Sequence, residues 1–258
     1  MRANYDDIAE FYDLSPIRRK VADPGLTDWL LTLSALPPEA RVVADVGCGT
    51  GSQLVANREQ HPTIPMVGVD LSNGMLRKAI SKDRSVLWIH SRGECLPLAD
   101  ASIAYLTNQF SYHHLPESKD LFTEIHRVLR PGGRFVLTNI DPFQMVGRQF
   151  YRYFPEALDR DLKDFLPPDE LGEQIKAAGF VELDTRLGEV PFETDLASFR
   201  KIAESRTDCS QLTAITDDAH REGLSRIDAE LASASEPASF TNPFCTVTIV
   251  ADKPVSHT

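Results

Sequence analysis

Gly47, Gly49 and Gly51 stand at alternate positions just after an apolar run, Val42-Val43-Ala44, that is interrupted by Asp45 and closed by Val46. Glycines so spaced let the backbone turn tightly and lie against a ligand with no side chain in the way. One helix and one strand further on comes a second acid, Asp70, followed by Leu71. In a right-handed βαβ unit that carboxylate falls near a ribose whose two hydroxyls it can accept from. Asp45 adds negative charge beside the turn, which suits a ligand carrying an ammonium or sulfonium better than one carrying phosphates. Other groups able to do chemistry are Arg92 and Glu94 around Gly93, Asn108, the adjacent His113 and His114, and Arg148 with Tyr151.

Two phosphate ligands are disfavoured by the spacing. A dinucleotide fingerprint, G-x-G-x-x-G/A counted from Gly47, puts Ser52 at its third small position, and the third glycine sits one residue early. A P-loop needs Gly-Lys-Ser/Thr, and no lysine follows these glycines. The two histidines admit a metal, a proton-handling and a capping reading. Adjacent rings on one turn do not share a zinc face and no third ligand is evident, so no metal is expected.

The turn from Gly47 through Cys48 and Gly49 to Gly51, with Asp45 before it, resembles the first motif of class I S-adenosylmethionine-dependent methyltransferases. Three other stretches carry the likeness. The pattern Tyr-Asp-x-Ile-Ala-x-x-Tyr-Asp beginning at Tyr5 is similar to the N-terminus of ubiquinone-biosynthesis-type methyltransferases, and it would make Tyr12 part of a cover over the cofactor. Ser91-Arg92-Gly93-Glu94-Cys95-Leu96-Pro97-Leu98 resembles the family's Gly-Asp-Ala-Glu-x-Leu-Pro-Phe segment, whose acid accepts from the adenine amino group. Glu124 to Leu137, Glu-Ile-His-Arg-Val-Leu-Arg-Pro-Gly-Gly-Arg-Phe-Val-Leu, matches a fold signature with no chemistry of its own.

The resemblance implies a donor site formed by Tyr12, Asp45, Gly47, Cys48, Gly49, Asp70, Leu71, Met75, Arg92, Gly93, Glu94 and Asn108. Arg92 departs from the family, since it stands where an acid is expected and an arginine cannot accept a hydrogen bond. The adenine contact then falls to Glu94 or to a backbone carbonyl, or is absent. Met75 has two readings, adenine contact and core packing. The implied activity is methyl transfer to a small-molecule acceptor. Because the sulfonium already carries a good leaving group, the protein mainly positions and desolvates, and a dedicated base is not required. Where a proton must leave the acceptor, His113 is the first candidate base and Tyr151 the second, with His113, Arg148 and Tyr151 as substrate contacts. Arg92 also motivates the alternative of a non-catalytic protein that binds the donor; a nicotinamide oxidoreductase is a third reading.

The elements that must position these groups make an α/β chain. The resemblance implies a doubly wound, Rossmann-like sheet of seven strands with the last antiparallel. Strands are expected at 42–46, 64–70, 86–90, 103–107, 135–140, 180–190 and 244–251. Helices follow from apolar spacing. Tyr5, Ile8 or Ala9, and Tyr12 share a face, as do Leu26, Leu30 and Leu33; Met75, Leu76, Ala79 and Ile80 form another behind Ser72 as N-cap, and Leu121, Phe122, Ile125, Val128 and Leu129 a fourth. One domain over 1–258 is expected, with cover helices at about 1–36. Helical insertions at about 141–167 and 191–240 are expected to form a substrate lid, the second through Leu196, Phe199, Ile202, Leu224, Ile227 and Leu231. Arg148 and Arg152 would share one helix face amid Phe143, Phe150, Tyr151, Tyr153 and Phe154, giving a pocket with a cation for an acidic group.

Composition sets limits. The 258 residues carry a net charge of −11, which argues against a nucleic-acid footprint or an anionic membrane surface. No apolar run spans a membrane and the start lacks a signal peptide's apolar core, so the cytosol is expected. Cys48, Cys95, Cys209 and Cys245 are scattered, with no zinc or disulfide pattern, and are read as mostly small buried residues. Monomer and homodimer both remain open.

Overall fold

The computed structural model describes residues 5–10, 12–14, 22–114, 118–206, 209–234 and 238–255. Parts of the expected cover (1–4, 11 and 15–21) and of the second insertion (207–208 and 235–237) lie outside the described residues, as does Leu115 at the end of the expected loop after Asn108.

The chain opens with α1 (Tyr5–Ile8), a 3-10 turn at Tyr12–Leu14 and α2 (Pro24–Thr32). Then β1 (Val43–Val46), α3 (Ser52–Gln60), β2 (Met66–Asp70), α4 (Asn73–Lys82), β3 (Leu87–His90) and β4 (Ile103–Gln109) alternate, followed by α5 (Ser118–Val128) and β5 (Leu129–Ile140). The remainder is α6 (Gln149–Tyr153), α7 (Pro155–Asp164), α8 (Pro168–Ala177), β6 (Val181–Val190), β7 (Glu193–Asp195), α9 (Leu196–Glu204), α10 (Ser210–Ala214), α11 (Asp217–Ser233), β8 (Ser239–Thr241) and β9 (Phe244–Asp252).

Seven strands form one sheet in the order β3-β2-β1-β4-β5-β9-β6. The ladders β1–β2, β1–β4, β2–β3 and β4–β5 are parallel. β9 runs against β5: Arg134 pairs with Asp252, Thr138 with Thr248, and the Asp141 amide donates to the Cys245 carbonyl. This is the doubly wound sheet with an antiparallel last strand that the resemblance implied. β1 and β4 are buried throughout, as continuous apolar runs require, whereas edge strand β3 is not. The strand order reverses at β1, with β2 on one side and β4 on the other, so the crevice beyond their C-terminal ends is where ligands bind in such sheets.

The chain divides into two compact units. One comprises residues 5–139, 169–186 and 248–258. Its core packs Leu26, Leu30, Val43, Leu54, Met66 and Leu76 together, and Phe122 and Phe135 are fully buried with ring centroids 6.1 Å apart. The other comprises residues 140–168 and 187–247 and is built around aromatics. Phe199 stacks on Phe240 at 3.6 Å between centroids, Tyr153 stacks on both, and the Tyr153 hydroxyl donates to Glu230.

Several local expectations change. Near the N-terminus, Tyr5–Ile8 form one short helix and Tyr12–Leu14 a separate 3-10 turn, and α2 ends at Thr32, ahead of a further 3-10 turn at Pro38–Ala40. Ile80 and Ile202 are 42% and 41% exposed, off the buried faces assigned to them. Leu129 starts β5, pairing with Ile103, instead of ending the helix before Pro131. The small β7–β8 ladder is absent from the sequence reading, since three-residue strands carry no periodicity. Arg148 stands at the N-cap position just before α6, and its side chain makes no capping hydrogen bond.

Truncating the centre of the first core should be expensive. Phe122→Ala is expected to lower stability by about 3–5 kcal/mol in urea unfolding, and a loss below about 1 kcal/mol would mean that the two rings do not support the sheet.

Candidate functional site

The glycine turn is held by the end of its neighbouring strand. Gly47, Gly49 and Gly51 take φ values of 75°, 55° and 72°, which disfavour a side chain. The amides of Gly47 and Cys48 donate to the Val69 carbonyl at 2.8 and 3.1 Å, and the Gly49 amide donates to Asp70 Oδ2 at 2.7 Å. Asp70 Oδ1 accepts from the Ser72 amide at 2.8 Å. One carboxylate thus ties the turn to the start of α4, whose N-cap Ser72 accepts from the Met75 amide. A Cβ on Gly47 would meet Ser111 Oγ at 2.2 Å, whereas one on Gly49 would meet nothing within 4 Å. The backbone of Gly49 is therefore open to a ligand.

Asp45 is fully buried and accepts from the Thr107 hydroxyl at 2.9 Å, bracing β1 against β4 where the strand order reverses. Asn108, also buried, donates from Nδ2 to the Val46 carbonyl at 2.9 Å and to Ser111 Oγ at 2.6 Å. Its Oδ1 is buried with no hydrogen-bond partner among the described residues. Glu94 Oε2 is in the same condition, while its Oε1 accepts from exposed Arg92 at 3.2 Å, and Gly93 is buried beside it. Leaving buried acceptors unsatisfied costs about 1–3 kcal/mol each. These two fit a ligand that brings N–H donors, as an α-ammonium and an adenine amine would.

The N-terminal pieces are strapped to this framework. Ile8 and Ala9 bury Met75 with Tyr5 and Tyr12 at the margin, so Met75 is 1% exposed and packs in a core of its own. The Asp6 carboxylate accepts from the Ser72 hydroxyl at 2.7 Å and the Gly74 amide at 2.6 Å. Asp13 accepts from the Thr50 hydroxyl at 2.6 Å and pairs with Lys82 at 2.7 Å. Tyr5 and His114 Nε2 are 2.6 Å apart. Leu71 is 63% exposed, and its carbonyl lies 2.8 Å from His90 Nε2.

His113 Nδ1 faces Asn139 Nδ2 at 3.0 Å. With the amide nitrogen as donor in this pair, the proton of a neutral His113 ring sits on Nε2. Tyr151 belongs to the other unit. Its hydroxyl donates to Asp161 Oδ2 at 2.7 Å, and burial, reinforced by the Asp161 charge, pushes its pKa upward. The phenol stays protonated, which corrects the reading of Tyr151 as a base. Arg148 is 7% exposed, donates from Nε to Asn242 Oδ1 at 2.7 Å, and lies 5.4–5.7 Å from the ring centroids of Phe150, Tyr151 and Phe244.

The sequence reading omitted Asp6, Ser111 and Asn242. Asp6 sits inside the quoted N-terminal pattern, where only the aromatic face had a periodic signal. Ser111 and Asn242 act through contacts distant in sequence and carry no local signature. Among the described residues no cluster of three or more His, Cys, Asp or Glu is arranged to hold a metal, and no helix is long and apolar enough to cross a membrane.

Comparison with known proteins agrees with this geometry. A methyltransferase domain model matches residues 44–137. The demethylmenaquinone methyltransferase of a Roseiflexus species is 30% identical over 183 residues, covering 62% of this chain and 77% of that one. A solved protein of Anabaena variabilis, described as a methyltransferase of antibiotic biosynthesis, is 23% identical with a TM-score of 0.64, covering 89% of this chain and 98% of that one. The Haemonchus contortus phosphoethanolamine N-methyltransferase 2, solved with S-adenosyl-L-methionine, is 18% identical with a TM-score of 0.56, covering 98% of this chain and 60% of that one. At those identities the solved structures speak to the fold.

The strap can be tested directly. Hydrogen bonds from the Ser72 hydroxyl, then the Gly74 amide, hold the Asp6 carboxyl below its ordinary value. The tie is therefore complete above the ordinary carboxylate pKa of about 3.9 and is lost as pH falls through the lower folded value. At neutral pH, Asp6→Ala should speed amide exchange over residues 5–8 in hydrogen–deuterium exchange while β1 stays protected. Identical exchange in variant and parent would show that another contact holds this segment.

Proposed function

The chain belongs to the class I S-adenosylmethionine-dependent methyltransferases, and from that premise we propose how its residues divide the work of methyl transfer to a small-molecule acceptor. S-Adenosylmethionine supplies a sulfonium-activated methyl group that an in-line displacement can pass to a nucleophile. Asp70 accepts from the ribose hydroxyls, held in place by its contacts with the Gly49 and Ser72 amides. Asn108 Oδ1 takes the ammonium of the amino-acid end, and Glu94 Oε2 takes the adenine amine in place of the missing family acid. Tyr12 and Met75 close the donor off from water, and Gly47, Cys48, Gly49, Leu71 and Gly93 shape the cradle with their backbone. Asp45 acts beneath the turn as a brace. The observation that carries this reading is the pair of buried, unsatisfied acceptors flanking an open glycine turn.

Positioning and exclusion of water supply most of the rate in such a displacement. His113 orients the acceptor by donating from Nε2, and a released proton goes to solvent. Residues 140–168 and 187–247 are our candidate for acceptor recognition and for the lid, supported by their buried arginine set among buried aromatic rings. Nothing favours the non-catalytic alternative that Arg92 suggested. We place the protein in the cytoplasm, where four free cysteines are at home.

Calorimetry with S-adenosylhomocysteine tests the donor site. Asp70→Ala should weaken binding by about 1–3 kcal/mol, roughly ten- to a hundred-fold; unchanged affinity in a folded variant would remove Asp70 from the ribose contact. His113→Gln keeps a donor and loses the titratable ring. Its kcat should fall by less than about ten-fold with donor affinity intact, whereas a loss of 10²–10⁴ would restore His113 as general base.

A further inference from the structure

Residues 140–168 and 187–247 form a cleft of about 470 Å³ whose ligand chemistry the reading above leaves unnamed. Gln144, Arg148, Gln149, Arg152, Ser239 and Thr241 line it, and no acidic side chain does, in a chain whose net charge is −11. Such a bias against the overall charge is local and built.

Arg148 is the unusual member. Its side chain is buried, yet among the described residues no carboxylate pairs with it; Nε goes to Asn242 and Nη1 to Met145 Sδ at 3.1 Å. Asp161, whose charge acts on it, is committed to the Tyr151 hydroxyl and Gln211. Withdrawing a guanidinium from water without an anion is costly, and three flanking aromatic rings offset only part of that cost. Arg152, exposed on the same cleft, also has no ion-pair partner among the described residues. By contrast Arg127, Arg134, Arg200 and Arg226 are each paired with an acid.

We propose that this cleft binds the acidic group of a small molecule, a carboxylate or phosphate gripped by Arg148 and Arg152 with the Ser239 and Thr241 hydroxyls at its edge. A planar guanidinium fork held by Asn242 matches the two oxygens of either group. The identity of that molecule with the methyl acceptor rests on the function proposed above; the anion site itself does not.

Titration calorimetry of the full chain with succinate, inorganic phosphate and uncharged succinamide tests the site, with S-adenosylhomocysteine titrated in parallel. Wild type should bind one succinate or one phosphate and no succinamide, the tighter of the two naming the group. Arg148→Gln should weaken that anion at least about ten-fold, as loss of a charged hydrogen-bond pair does. Arg152→Gln, at an exposed position, should weaken it at least about three-fold and decides the matter should Arg148→Gln not fold. No binding by folded wild type, equal binding of succinamide, or affinity unchanged in Arg152→Gln overturns the site. A chain that binds S-adenosylhomocysteine but neither anion refutes only the cleft, and one that binds an anion but no S-adenosylhomocysteine refutes only the donor reading.

Discussion

Everything at the donor end depends on one carboxylate. Asp70 closes β2, and its two oxygens accept from amides on either side: Gly49 in the glycine turn and Ser72 at the start of α4. A turn made of residues with positive φ has no stiffness of its own, because glycine has more unfolded conformations to lose than any other residue. The hydrogen bonds from Gly47 and Cys48 to Val69, together with Asp70, supply that stiffness from the neighbouring strand. The same acid therefore shapes the cradle before a ligand arrives and remains able to accept from one.

The two units of the chain follow different construction rules. The sheet unit packs largely aliphatic side chains from α2, β1, β2, α3 and α4. The unit around Phe199 and Phe240 is an aromatic stack with buried polar pairs, among them Tyr151 with Asp161 and Arg148 with Asn242. Burial keeps the Asp161 carboxyl above its usual range and the Arg148 guanidinium below its own. Buried polar pairs of this kind, when satisfied, stiffen a core and specify one packing of it.

Legibility in the sequence followed the range of the interactions. The glycine turn, Asp70, the Ser72 cap and the strands β1 to β5 are written in contiguous residues with a period or a spacing, and those were readable. Glu94 was singled out only because Arg92 broke a family pattern. Asp6 on Gly74, Thr107 on Asp45 and Asn242 on Arg148 join residues far apart in the chain, so neither propensity nor periodicity carries them. Tyr151 was misjudged for the same reason: its partner Asp161 lies on the following helix, and burial, which no residue type announces, sets the direction of its shift.

The N-terminal strap responds to salt differently from the turn it packs on. Its ties to the rest of the sheet unit include two ion pairs, Asp13 with Lys82 and Glu10 with Lys78, whose side chains are partly to largely exposed. Pairs of that kind are screened within a Debye length of about 8 Å at physiological ionic strength, whereas the backbone contacts that shape the glycine turn are not. Raising the salt concentration thus weakens these two ties and leaves the hydrogen bonds of Asp6 and of the glycine turn in place, so dissolved ions act on the N-terminal pieces separately from the turn.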